Sequence, residues 1–134
     1  MSHELALQKA LVAHLTADAG LGALLGSPPR IWDAPPAHPG LPHLLVGRSE
    51  SRPVEADGGG YDHVVTLTVV SAFRGTEEAK AVLAALRTAL TGVELEADGI
   101  RTIGLRATFA DVFPTPDRLR TYAVLRVRAV TEEI

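Results

Sequence analysis

Five histidines, at positions 3, 14, 38, 43 and 63, are the residues of this 134-residue chain best suited to metal or proton chemistry. A helical zinc site sets two histidines four apart on one face, and no pair here has that spacing. His14 stands alone in a helical stretch and reads as a boundary residue. Asp57 and Asp62 flank three glycines, but the acid spacing of a calcium loop is missing, so they read as a solvated turn. Ser27, Ser49, Ser51 and Ser71 lack the strand–turn–helix setting of a nucleophile. Glu94 and Glu96 share one strand face, so paired-carboxylate catalysis requires another acid across a cleft. Gly20, Gly22 and Gly26 follow a helix rather than a strand and do not fit a dinucleotide fingerprint. Cysteine is absent, which removes disulfides, thiol catalysis and Cys-type zinc sites. No cofactor or metal set emerges, and the chain reads as a non-enzyme that acts through its surfaces.

The elements that carry those surfaces follow from periodicity. Ser2 caps a first helix with Glu4 in its first turn, and Leu7, Leu11 and Leu15 form its apolar row, widened by Leu5 and Val12. That helix ends near Ala19, with Gly20 as the left-handed terminator and Leu21, Leu24 and Leu25 in an apolar turn. Pro28 to Pro42 holds six of the nine prolines and reads as an extended connector, pinned by Ile31 and Trp32. His43 to Gly47 is a short buried strand, and Arg48 to Gly60 a polar, mobile hairpin loop. From Tyr61 to Phe73 a long strand turns Val65, Leu67, Val69 and Phe73 to the core and Thr66 and Thr68 away. Thr76 caps a second helix with Ala79, Val82, Leu83, Leu86 and Leu90 along one stripe. Asp98-Gly99 signals a tight hairpin. In the strand from Arg101 to Ala110, alternation sends Ile103, Leu105, Ala107 and Phe109 inward and Thr102, Arg106 and Thr108 outward. Asp111 to Arg120 is a proline-built turn, and Thr121 to Val130 a strand with Ala123, Leu125, Val127 and Ala129 inward. Residues 131–134 read as a fraying tail.

The expected fold class is α+β: one domain over 1–134, with a mainly antiparallel four-stranded sheet and two helices on one face (α-β-β-α-β-β), plus a small extra hairpin. The formal net charge of −3 argues against backbone-driven nucleic-acid binding, and Tyr122 alone is a thin stacking platform for single strands. No basic leader precedes an apolar run, and no run is long enough to span a membrane, so a soluble intracellular chain is expected. Eleven of the thirteen basic residues are Arg; with Ala, Gly and Pro also abundant this reads first as codon bias, the alternative being that the planar fork of Arg serves protein interfaces.

The order of landmarks along the chain is the most specific feature. A first helix with the exit DAGLGALLG is followed by RIWDAPPAHPGLPHLLVG. Then come the strand–helix unit HVVTLTVVSAFRGTEEAKAVLAAL and the final strand TYAVLRVRAVTEE. From about residue 3 to 133 this resembles the tail-completion, or tail-terminator, proteins of siphophage-like particles, prophages and gene transfer agents. One departure is PDRLRT, where the family often has an Asp-Gly turn before its last strand. The resemblance implies a structural protein, commonly a homo-hexameric ring, at the head-proximal end of a tail tube. Such a ring ends tube growth and joins the tail to head–tail connector proteins, and DNA passes through its lumen without sequence reading. It implies assembly in the host cytoplasm and then residence in the particle, with no membrane and no cofactor. A ring needs two different complementary patches per subunit. The candidates are Thr66, Thr68, Arg106, Arg126 and Arg128 on the outward sheet face and edges, with Arg48, Arg52, Phe113 and Arg118 from the two polar loops, Arg48 to Gly60 and Asp111 to Arg120. The alternative from composition alone is a small oligomeric ligand-binding or regulatory domain.

Overall fold

A single aspartate divides the N-terminal helical region in two. The computed structural model describes residues 2–55, 59–72 and 74–134; the expected core position Phe73 and the loop acid Asp57 lie outside them. Helix α1 (His3–Ala17) begins where the Ser2 hydroxyl accepts the Leu5 amide, satisfying one donor that a helix start leaves free. Leu7, Leu11 and Leu15 are buried as the i+4 row requires, but Leu5 remains 48% exposed and does not widen it. Asp18 ends α1 with its backbone amide on the Leu15 carbonyl. Its carboxylate then accepts the Leu21 amide at 2.9 Å and starts α2 (Ala19–Leu25). The expected turn after Gly20 is therefore a second helix, because a cap built from the Asp side chain restarts the helical path before glycine can end it.

The strands are β1 (Ile31–Trp32), β2 (His43–Val54), β3 (Gly60–Ala72), β4 (Leu95–Ala97), β5 (Ile100–Pro114) and β6 (Arg120–Glu133), with helix α3 (Glu77–Leu90) between β3 and β4. They form one six-stranded sheet in the order β1-β2-β3-β6-β5-β4. The four expected strands are its long members, and the class is α+β as read. The two additions are short edges. β4 is the hairpin arm at Asp98-Gly99, where φ values of 53° and 74° suit the mirror-image turn that follows strand twist. β1 lies in the proline connector and pairs in parallel with β2 at Leu44 and Leu45.

The inner face of this sheet meets the three helices. Leu44, Val46, Val65, Leu67, Val69, Leu125 and Val127 join Leu11, Leu15, Leu21 and Leu25 and the α3 row Val82, Leu83, Leu86 and Leu90 in one core. Burying a large aliphatic side chain contributes about 1.5–3 kcal/mol, so this face fixes the fold. Thr76 is the N-cap of α3 but makes no side-chain cap bond. The start of the helix is tied instead through Glu78, whose carboxylate accepts the Ser71 hydroxyl at 2.6 Å.

Three expectations about loops and phase are corrected. Arg48 to Val54 is strand, not mobile loop, because residues Ser49–Val54 pair with Gly60–Val65 of β3. Residues 131–133 continue β6, and Thr131 is fully buried rather than in a frayed tail. In β5, register shifts between Ile103 and Arg106 and between Ala107 and Phe109 each insert a residue and change which side faces the core. Thr102 is buried, Ile103 is Cα partner to the outward Val130, and Phe109 lies opposite Arg126 on the outer face, 46% exposed. Gly104, at φ 63°, is the local cause of the first shift.

Gly60 opens β3 where a Cβ would stand 2.6 Å from the Thr131 carbonyl oxygen of β6. Gly60→Ala is expected to destabilise the fold by roughly 1–3 kcal/mol, since rigid backbone must shift to admit the methyl; urea unfolding measures this, and no change in midpoint would refute the close approach.

Most of each sheet edge is open. β1 covers β2 only at Leu44 and Leu45, and β4 covers β5 only from Ile100 to Thr102. The uncovered parts carry the register shifts of both strands, together with Pro53 and Pro114.

Candidate functional site

The outer face of the sheet collects most of the candidates in rows set by the register. Thr66, Arg126 and Phe109 form one row. Val64, Arg128 and Arg106 form a second, and Val70, Tyr122 and Phe113 a third. Thr68 stands beside Val124 and Asp111. Alternation places these side chains away from the helices, so they are presented rather than packed.

The arginines differ in how they are held. Arg128 forms a two-pronged ion pair with Asp62, donating from Nε to Oδ1 at 3.1 Å and from Nη2 to Oδ2. That bond is the main cause that holds the Asp62 carboxyl below the ordinary carboxylate range. Its stabilisation is therefore complete above the unfolded carboxylate value of about 3.9 and is lost as the pH falls through the lower folded value. Asp62→Asn should flatten the acid limb of the stability profile below about pH 4; an unchanged limb in acid titration followed by circular dichroism would remove the pair from the account. Arg126 is not ion-paired among the described residues, and its guanidinium lies over the Phe109 ring at 4.8 Å. Arg106 is exposed and donates to its own neighbour, the Gly104 carbonyl, at 3.3 Å. Among the described residues of this face Arg52, Arg106, Arg120 and Arg126 make no ion pair, whereas Arg128 is neutralised.

The other candidates come from strands rather than loops. Arg48 is exposed at the shift in β2 and pairs with Glu50 at 2.9 Å. Arg52 lies beside Asp62 in the register. Phe113 belongs to β5, not to a turn, and is 37% exposed with its ring 5.9 Å from Tyr122. Arg118 occupies the hairpin turn at φ 58°. Asp117 organises that turn by accepting the Thr115 hydroxyl and the Leu119 amide, the first of which is the chief cause of its lowered pKa. The PDRLRT sequence thus makes its tight turn with a positive-φ arginine in place of Asp-Gly. Thr66, Thr68, Arg106, Arg126 and Phe113 share one face, Arg48 and Arg52 lie on the flanking β2, and Arg118 sits at the tip.

Sequence reasoning missed Phe109, assigned inward, and Asp62, read as a solvated loop acid. Gly104 within a strand was the available signal for the first shift; nothing comparable marks the second, near Thr108. Among the described residues no cluster of three or more His, Asp or Glu is arranged to hold a metal.

One face of the sheet is sealed by helices and the other presents arginine and phenylalanine in a small α+β domain. Residues 9–132 match the family model of the tail completion protein gp17, and the chain belongs to that family. Among solved structures it is similar to a chain in the virion of a native gene transfer agent (GTA) particle. The identity is 30%, the TM-score 0.87, and the match covers 98% of this chain and 99% of that one. No curated protein sequence matches it.

Proposed function

We propose that this protein is a tail-terminator subunit. Six copies close into a ring on the head-proximal end of a tail tube, stop its polymerisation and offer a surface to head–tail connector proteins, while DNA passes through the lumen. The chain acts by contact and not by catalysis, is put together in the host cytoplasm and ends in the particle tail. The observation that carries this reading is the likeness, over nearly the whole length of both chains, to a chain solved within a GTA virion. The outer face supports it: Arg106 and Arg126 carry unneutralised charge beside the exposed Phe109 and Phe113, the aromatic-and-arginine composition of protein contact surfaces. The interface assignment comprises that face with Thr66, Thr68 and Arg128, together with Arg48, Arg52 and Arg118. Native mass spectrometry of the purified protein, alone and with tube protein, tests it, alongside immunolabelling of particles. A closed ring located at the tail end is expected; a strict monomer absent from tails would overturn the reading.

A further inference from the structure

The first turn of α1 is fastened to the sheet by a buried polar cluster that plays no part in the outer face. The Thr131 hydroxyl lies 2.7 Å from His3 Nδ1 and 2.8 Å from His63 Nε2. His63 is 0% exposed and Thr131 likewise, and His3 is buried. The Tyr61 ring stacks at a tilt 4.6 Å from His3 and 6.4 Å from His63. A hydroxyl has one proton and two lone pairs, so it donates to at most one of the two imidazoles and accepts N–H from the other or from both. His63 Nδ1 has no hydrogen-bond partner among the described residues. Next to this cluster, packing under the helix start is incomplete: a cleft of about 250 Å³ separates Ser2, Glu4 and Leu5 from Val46, Ser49 and Val65.

We propose that His3, Thr131 and His63 form an acid-operated latch, opened by protonation of the buried His63, which frees the first turn of α1 from β3 and β6. A second proton-bearing nitrogen on His63 has no acceptor among the described residues. The charged and titratable groups around the pair are Glu4 on α1 and Tyr61 and Asp62 on β3. At this level β2, β5 and β6 contribute only the hydroxyls of Ser51, Thr102 and Thr131. Asp62 is already committed to Arg128, and Glu4 accepts the Ser51 hydroxyl at 3.2 Å, so neither is free to hold the new charge. Consistent with this, burial, with His3 adding to it, holds the His63 pKa below the ordinary histidine value, against the opposing pull of Glu4 and Asp62. The sign follows: the latch contributes fully above the ordinary value of about 6.5 and weakens as the pH falls below it towards the lower folded value.

Amide hydrogen exchange of the α1 first turn, expressed relative to α3 in the same sample, tests the latch. Between about pH 7.5 and about pH 5.5 that relative protection should fall by up to about tenfold for one ring, with the far-UV spectrum retained. His63→Met, which keeps volume without titrating, and His3→Gln, which keeps a hydrogen bond to Thr131, should each reduce the fall. Constant protection in the wild type, or an undiminished fall in both variants, would overturn the proposal. Should His63→Met not fold, ring-nitrogen shifts of the wild type decide: titration of His63 coincident with α1 opening supports the latch, and titration with α1 protection unchanged refutes it.

Discussion

Arg126→Glu is expected to leave the fold intact and to prevent completion of tails. Within the subunit the substitution removes only an exposed cation–π contact with Phe109, worth about 0.5–1 kcal/mol, so thermal unfolding should barely move. At an interface the same change sets a carboxylate where the partner surface is matched to a guanidinium, and misplaced charge there costs several kcal/mol. Assembly should weaken by about 100-fold or more, at about 1.4 kcal/mol per factor of ten. Sedimentation of the purified variant and electron microscopy of tails made with it measure the two halves. Wild-type assembly would take the outer face out of the contact surface. Arg128→Glu is the poorer probe despite its adjacency, because it also strands Asp62 beside a second carboxylate; any assembly defect there would mix with a folding one.

The second large effect is expected inside the sheet. Leu67 is fully buried at the centre of β3, level with Val46 on β2 and Leu125 on β6. Leu67→Ala should cost about 2–5 kcal/mol, the removed methyl groups plus the cavity that flanking strands cannot close. For a chain of this length that is a fall in Tm of roughly 7–18 °C. Leu5→Ala, at the exposed start of α1, should stay within about 0.5 kcal/mol. The pair is best compared under conditions that keep the protein monomeric, since ring formation would add stability by mass action. A Leu67→Ala loss below about 1 kcal/mol would mean that the core relaxes around the site.

Much of this architecture was legible where one residue type repeats without interruption. The α3 stripe and the alternation of β3 and β6 needed no tertiary information, because the apolar stripe of α3 and the inward rows of β3 and β6 all meet the same core. The same alternation, read two residues further back from Val65, reaches the buried His63. Legibility ended where a side chain or a single inserted residue changed the phase. Asp18 could be read as a helix residue or as a cap, and only the bond to Leu21 decides. In β5 an unbroken alternation from Ile103 carried Phe109 to the wrong face, since the second shift has no compositional mark. Arg48 and Arg52 looked like loop residues because a polar edge strand and a polar loop share one composition. The difference between Arg126 and Arg128 depended on Asp62 lying across the sheet on β3, a proximity set by pairing rather than by sequence distance.

The two open edges of the sheet have a consequence for assembly. An even, unpaired edge invites another chain to extend it, and such growth has no natural end. Here the uncovered portions of β2 and β5 are kinked by inserted residues, and each includes a proline that offers no amide. Neither edge is a template for a further strand. In the proposed ring, copies of this chain would then meet through side chains on faces and hairpin tips, whose fixed angles would determine how many fit around an axis. A subunit with the proposed terminating role would thereby be built so that it does not seed a polymer of its own.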